Sequence, residues 1–200
     1  MTVVREPQQD RSRVTRERLL EATVDMLATQ GWAATTVAAV AESAGVSRGA
    51  AQHHFPTREA LITAVVEGMF ERMTADASAS MVELPEDLRS RVPVVVDKAV
   101  AIYTGTEFKA ALQAWAAAAS DPALRELLLP LEAKLARAAH RFTVQALDPA
   151  GEHPDAYRLA QVTLDLARGL GLADTLSDDS KRRKQVVATW SDQLVDALSS

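Results

Sequence analysis

Apolar residues recur three and four positions apart through most of this chain, and no stretch alternates apolar and polar residues with the period of two that a strand requires. The first such segment runs from about residue 12 to 30, with Leu20, Val24 and Leu27 on one face and Gly31 placed to end it. Two short segments follow. Thr36 stands where its hydroxyl can cap a helix over about 37–43, and Ser47 where it can cap a second over about 47–54. Phe55-Pro56-Thr57 closes that helix and caps the next, an amphipathic helix to about residue 81 with no internal breaker. Beyond Pro85 the same period predicts helices over roughly 86–104, 106–119, 122–147, 155–176 and 180–198, and the few prolines are expected where segments break.

The pattern therefore predicts an all-α protein. With 200 residues the chain can bury its own core, and with no cysteine it has neither a disulfide framework nor a thiolate metal site. No apolar run reaches the ~18 residues that span a bilayer, and the polar start lacks the apolar core of a secretory signal, so a cytoplasmic protein is expected. The net charge of -5 argues against a phosphate-rich partner only until it is divided. Residues 1–60 carry seven Lys/Arg and seven Asp/Glu, and residues 61–200 carry fifteen and twenty, so the whole deficit lies in the second part. Arg11, Arg13, Arg16 and Arg18 face Glu17 alone.

Two short helices joined by a tight turn containing glycine describe a helix-turn-helix, whose second helix enters the DNA major groove. The spacing fits. Val40, Ala41, Ala44, Val46 and Ala51 fall where the two helices meet, and Gly45 where the turn needs a left-handed backbone. At the start of the second helix Arg48 can donate two hydrogen bonds to guanine O6 and N7, Gly49 permits close approach, and the Ala50 methyl can meet that of thymine.

Four segments then identify a relative: Thr15 to Ala22, Gly31 to Val37, Ala44 to Ala50 and His53 to Leu61 closely resemble the signature of the tetracycline-repressor (TetR) family over about residues 13–62. The resemblance implies an N-terminal three-helix DNA-binding domain, a connecting helix and a divergent C-terminal helical domain that binds an effector and dimerises. On this sequence that gives a flexible basic arm (1–12), a DNA-binding domain (13–60, helix-turn-helix about 36–55) and an effector and dimerisation domain (61–200). It also implies Arg48, Gly49, Ala50, Gln52 and His53 at the groove, and Thr36, Ser47, His54 and Arg58 towards the sugar-phosphate backbone. Position 52 holds Gln where relatives commonly have Tyr, position 38 holds Ala rather than a basic residue, and position 51 holds Ala rather than Leu. Gln52 can pair with adenine N6 and N7 instead, so the docking mode carries over and the operator sequence does not.

The expected partners are a palindromic double-stranded DNA operator, a second copy of the chain through about 155–198, and a small, largely apolar effector, with no membrane. The family places its pocket among the C-terminal helices, where Tyr103, Phe108, Trp115 and Phe142 are the bulky groups beside the small residues Ala116 to Ala119. Apolar stripes at Leu159, Val162, Leu166, Leu170 and Ala173 and at Val187, Trp190, Leu194 and Leu198 suit a symmetric interface or an internal core equally well. A helical partner-binding module is the competing class, and an enzyme the remote one. Gly169-Leu170-Gly171 has no strand or phosphate-loop sequence around it and reads as close helix packing. Adjacent His53 and His54 point about 100° apart and lack a third ligand, so no metal site is expected, and no nucleophile elbow, catalytic constellation or cofactor motif is present.

Overall fold

A computed structural model describes residues 8–81 and 83–200 and, among them, contains helices and no strand. The helices are α1 (Gln8–Ala34), α2 (Val37–Ser43), α3 (Arg48–His54), α4 (Arg58–Met81), α5 (Leu88–Thr104), α6 (Thr106–Ala118), α7 (Pro122–Leu147), α8 (Ala156–Ala173) and α9 (Ser180–Leu198). Of the arm expected over 1–12, residues 1–7 lie outside the described residues, and residues 8–12 open α1. Gly31 interrupts α1 with φ 80° and ψ 179°, a conformation costly for any side chain, and the helix resumes for one turn beyond it.

Two prolines depart from the expectation that they mark breaks. Pro93 lies inside α5 and Pro130 inside α7. Each removes one backbone donor, but long helices that bury an apolar face gain more from packing than one missing hydrogen bond costs.

Packing gathers the helices into two units: residues 1–69 with 109–131, and residues 70–108 with 132–200. The division differs from the functional boundary expected at residue 60, because the 109–131 segment of α6 and α7 packs with the N-terminal helices. The first unit holds two apolar clusters. One joins Leu19, Met26, Val40, Ala41, Ala44, Ala51, Phe55, Leu61 and Ala64; the other joins Leu27, Ile62, Ala110, Ala114, Ala118, Leu124 and Leu128, with Val24, Trp32 and Val66 packed against it.

In the second unit α5 packs on α8 and α9 around Val92, Val95, Val96, Ala146, Leu147, Ala160, Leu194 and Val195. Gly171 makes the α5–α8 approach possible. A Cβ there would overlap the Tyr103 carbonyl, 2.7 Å from its carbon, and sit 2.9 Å from Phe108 Cε1, whereas a Cβ on Gly169 would meet open space. The stripe at Val187, Trp190, Leu194 and Leu198, which suited an association surface, belongs to this protomer core: Leu194 is fully buried and Trp190 Nε1 donates to Thr163 Oγ1 at 3.0 Å. On α8 the exposed large hydrophobic residues are Tyr157, Val162 and Leu172, followed beyond the helix by Leu176.

Candidate nucleic-acid interface

Each end of α2 and α3 is closed by a residue suited to it. Thr36 holds an extended backbone and its hydroxyl accepts from Ala39 N at 3.2 Å; Ser47 does the same for Ala50 N at 3.2 Å. Between them the chain reverses at Gly45 (φ 62°), whose N–H donates to Glu42 O while Val46 N–H donates to Ala41 O. Those bonds satisfy the carbonyls left over at the end of α2. Val40, Ala41 and Ala51 have no exposed surface, so the small residue at 51 sits flush in the α2–α3 junction.

Burial on one side fixes what the other side offers. With Ala51 and Phe55 turned into the core, Arg48, Gly49, Gln52 and His53 of α3 face solvent and Ala50 is half-buried. These are the residues expected at the groove. Gly49 has open space around it, so nothing in the protein demands glycine there, and a closely approaching partner would. Thr36 and Ser47 are exposed at the N-termini of their helices, where free amides favour an anion.

His54 and Arg58 are placed differently from that exposed set. His54 is half-buried, its ring 5.8 Å from that of His53 and 6.3 Å from that of Phe55. Burial, together with the neighbouring His53 and Arg16 charges, lowers its pKa from the ordinary 6.5. The Arg16 guanidinium lies 5.6 Å from the Phe55 ring centroid, bringing α1 to the C-terminal end of α3. Sequence reasoning left Arg16 within a general run of basic residues; a helical register that sets it three residues before buried Leu19 was the available signal. Arg13, by contrast, pairs with Glu17 at 2.9 Å. Among the described residues Arg58 pairs with no carboxylate: its guanidinium carbon lies 3.6 Å from the Trp32 ring centroid, and its Nε and Nη2 are buried without a hydrogen-bond partner. Burial lowers its pKa, a shift that Glu59 opposes.

The four aromatics expected around an effector fall into both units. Tyr103 and Phe108 are buried and meet edge to face, centroids 5.2 Å apart, with Arg168 Nη2 donating to Tyr103 Oη at 3.4 Å. Burial raises the Tyr103 pKa, and the adjacent Arg168 charge partly offsets it. Phe142 is half-buried in the same unit, and Trp115, also half-buried, belongs to the first.

A two-turn helix with an exposed face, anchored on a short helix and joined to it by a glycine turn, defines a helix-turn-helix protein. Comparison with known proteins narrows the class: residues 19–65 match the family described as bacterial regulatory proteins, tetR family. The chain is 36% identical over 127 residues to the HTH-type transcriptional regulator CymR of Pseudomonas putida, spanning 63% of this chain and 62% of that protein. With the HTH-type transcriptional regulator BetI of Stenotrophomonas maltophilia it shares 28% over 166 residues, 82% of each chain. The solved structure of Salmonella enterica GusR has the same fold, with a TM-score of 0.68 at 22% identity over all of both chains. The chain thus resembles the tetR family of bacterial regulatory proteins over residues 19–65, and it spans less than two thirds of the length of CymR.

Proposed function

We propose that this protein regulates transcription by binding a palindromic operator as a two-fold dimer and leaving it when a small molecule binds. One observation carries the DNA-reading part: packing turns Arg48, Gly49, Gln52 and His53 outward on one face of α3 while Ala51 anchors the helix. Arg48 reads a guanine and Gln52 an adenine. Thr36, Ser47 and His54 address the sugar-phosphate backbone, as does Arg16, in a reading unit taken as residues 13–60. Two such units on a two-fold axis require half-sites about one helical turn or a multiple apart.

Dimerisation is typical of the family. The interface proposed for this chain lies within 155–198 and uses the outward face of α8 at Val162 and Leu172. For the effector, the second unit offers Tyr103, Phe108 and Phe142, which suit a small, largely apolar molecule with a polar group near the Tyr103 hydroxyl and Arg168. Trp115 lies in the other unit and is left out of that set.

Selection of duplexes from a random pool tests the core of this reading. A recovered palindrome, bound more tightly than random duplex with strong salt dependence, is the expected result. Recovery of no consensus would refute it.

A further inference from the structure

The Arg58–Trp32 stack is the least expected arrangement in the DNA-reading unit. A free arginine at the start of α4 would be a ready phosphate donor. Bidentate recognition of a phosphate uses a planar fork of N–H groups, of which the Nε–Nη2 edge is one. That edge is the one buried here, with no acceptor, while the guanidinium lies 3.6 Å from the Trp32 ring centroid. No carboxylate pairs with it within bridging distance among the described residues, so the π face of Trp32 is the partner that holds this cation in place.

Both ends of the stack sit at structurally decisive points. Arg58 is the first residue of α4, directly after Phe55-Pro56-Thr57 closes α3. Trp32 follows the Gly31 break of α1 and packs on the cluster that contains Leu27, Ile62 and Ala114. Gly31 is itself fitted to α6, since a Cβ there would stand 3.2 Å from Gln113 Oε1. The stack thus ties the start of α4, and through it the end of α3, to a fixed corner of α1.

We propose that Arg58 is a positioning residue that sets the direction of the recognition helix through Trp32, rather than a contact to DNA phosphate. The inference rests on the DNA-reading function proposed above. Fluorescence anisotropy with a selected operator duplex and a random duplex of equal length, at several salt concentrations, tests it. Arg58→Lys keeps the charge and loses the planar stack; Trp32→Leu removes the ring, and Trp32→Phe keeps an aromatic face. Arg58→Lys and Trp32→Leu should each lower operator affinity about tenfold with the salt slope unchanged. The double variant should lose no more than either single one, and Trp32→Phe should retain most of the wild-type affinity. Thermal melts confirm that each variant is folded at the assay temperature.

A wild-type-like Arg58→Lys, beside an Arg58→Ala that weakens both duplexes and reduces the salt slope by about one, would mark a phosphate contact and overturn the inference alone. Additive losses in the double variant would do the same. A wild-type protein that discriminates no sequence would overturn the regulator reading and this inference with it.

Discussion

Gly171→Ala adds a single methyl group where α8 lies against the backbone at the end of α5. The new carbon would overlap the Tyr103 carbonyl oxygen and stand 2.7 Å from its carbon and 2.9 Å from Phe108 Cε1, against ordinary contacts of about 3.5 Å or more. Two of these atoms are backbone, so no rotamer change relieves them and the helices must separate. Overpacking of this kind costs about 1–3 kcal/mol, and a clash against backbone belongs at the upper end. Alanine recovers roughly 0.5–1 kcal/mol of helix propensity, leaving a net loss of about 2 kcal/mol. For a domain of this size that lowers Tm by roughly 4–8 °C. Gly169→Ala, two residues earlier, gains the propensity term with no clash, because open space surrounds its Cβ position. Circular dichroism melts of both variants at one protein concentration, with sedimentation to confirm equal oligomeric state, make the comparison. A Gly171→Ala protein as stable as wild type, or two variants equally destabilised, would refute the packing argument.

On the DNA side, Arg48→Ala should cost about 1–3 kcal/mol on the operator and relax one position of its consensus, with little change on random duplex. Leu172→Arg places charge on an outward apolar position, 58% exposed, and should shift sedimentation towards the monomer while leaving the circular dichroism spectrum intact. His54 gives a pH signature. Its folded pKa lies below 6.5, so as pH falls through 6.5 towards the folded value the unfolded chain binds more protons and stability declines. An adjacent phosphate favours the protonated ring, so operator affinity should rise over the same interval. His54→Gln should flatten both trends, and curves superimposable on wild type would reject the role.

What could be read from the residue pattern depended on how local the physics was. Thr36, Ser47 and Gly45 act on atoms within a few residues of themselves, so the helix-turn-helix was legible down to its caps and turn. Apolar period marks a face and says nothing of what covers it. The Trp190 stripe could serve a core or a dimer, and the burial of Leu194 together with the Trp190–Thr163 hydrogen bond assigns it to the core. The helices read over 86–104 and 122–147 run through Pro93 and Pro130, against the general expectation that prolines mark breaks, because proline's local penalty is visible in sequence and the packing that offsets it is not. The Arg58–Trp32 stack joins separate helices, and the joining of residues 109–131 to the N-terminal unit depends on contacts across the chain. Neither leaves a local signature.

That joining gives the two apolar clusters of the first unit different birthdays on the ribosome. The cluster around Leu19, Val40, Ala51 and Leu61 draws only on residues up to Ala64. Its neighbour needs Ala110, Ala114, Leu124 and Leu128 to cover Leu27 and Ile62. At about 5–20 residues per second, several seconds of synthesis separate the two. During that interval the nascent chain can display a formed helix-turn-helix while the apolar back of α1 and α4 stays uncovered. It is then a target for the chaperones that attend emerging chains. A gene fragment that stops after α4 would make this transient exposure permanent, and the severed DNA reader should aggregate unless residues 109–131 are supplied with it.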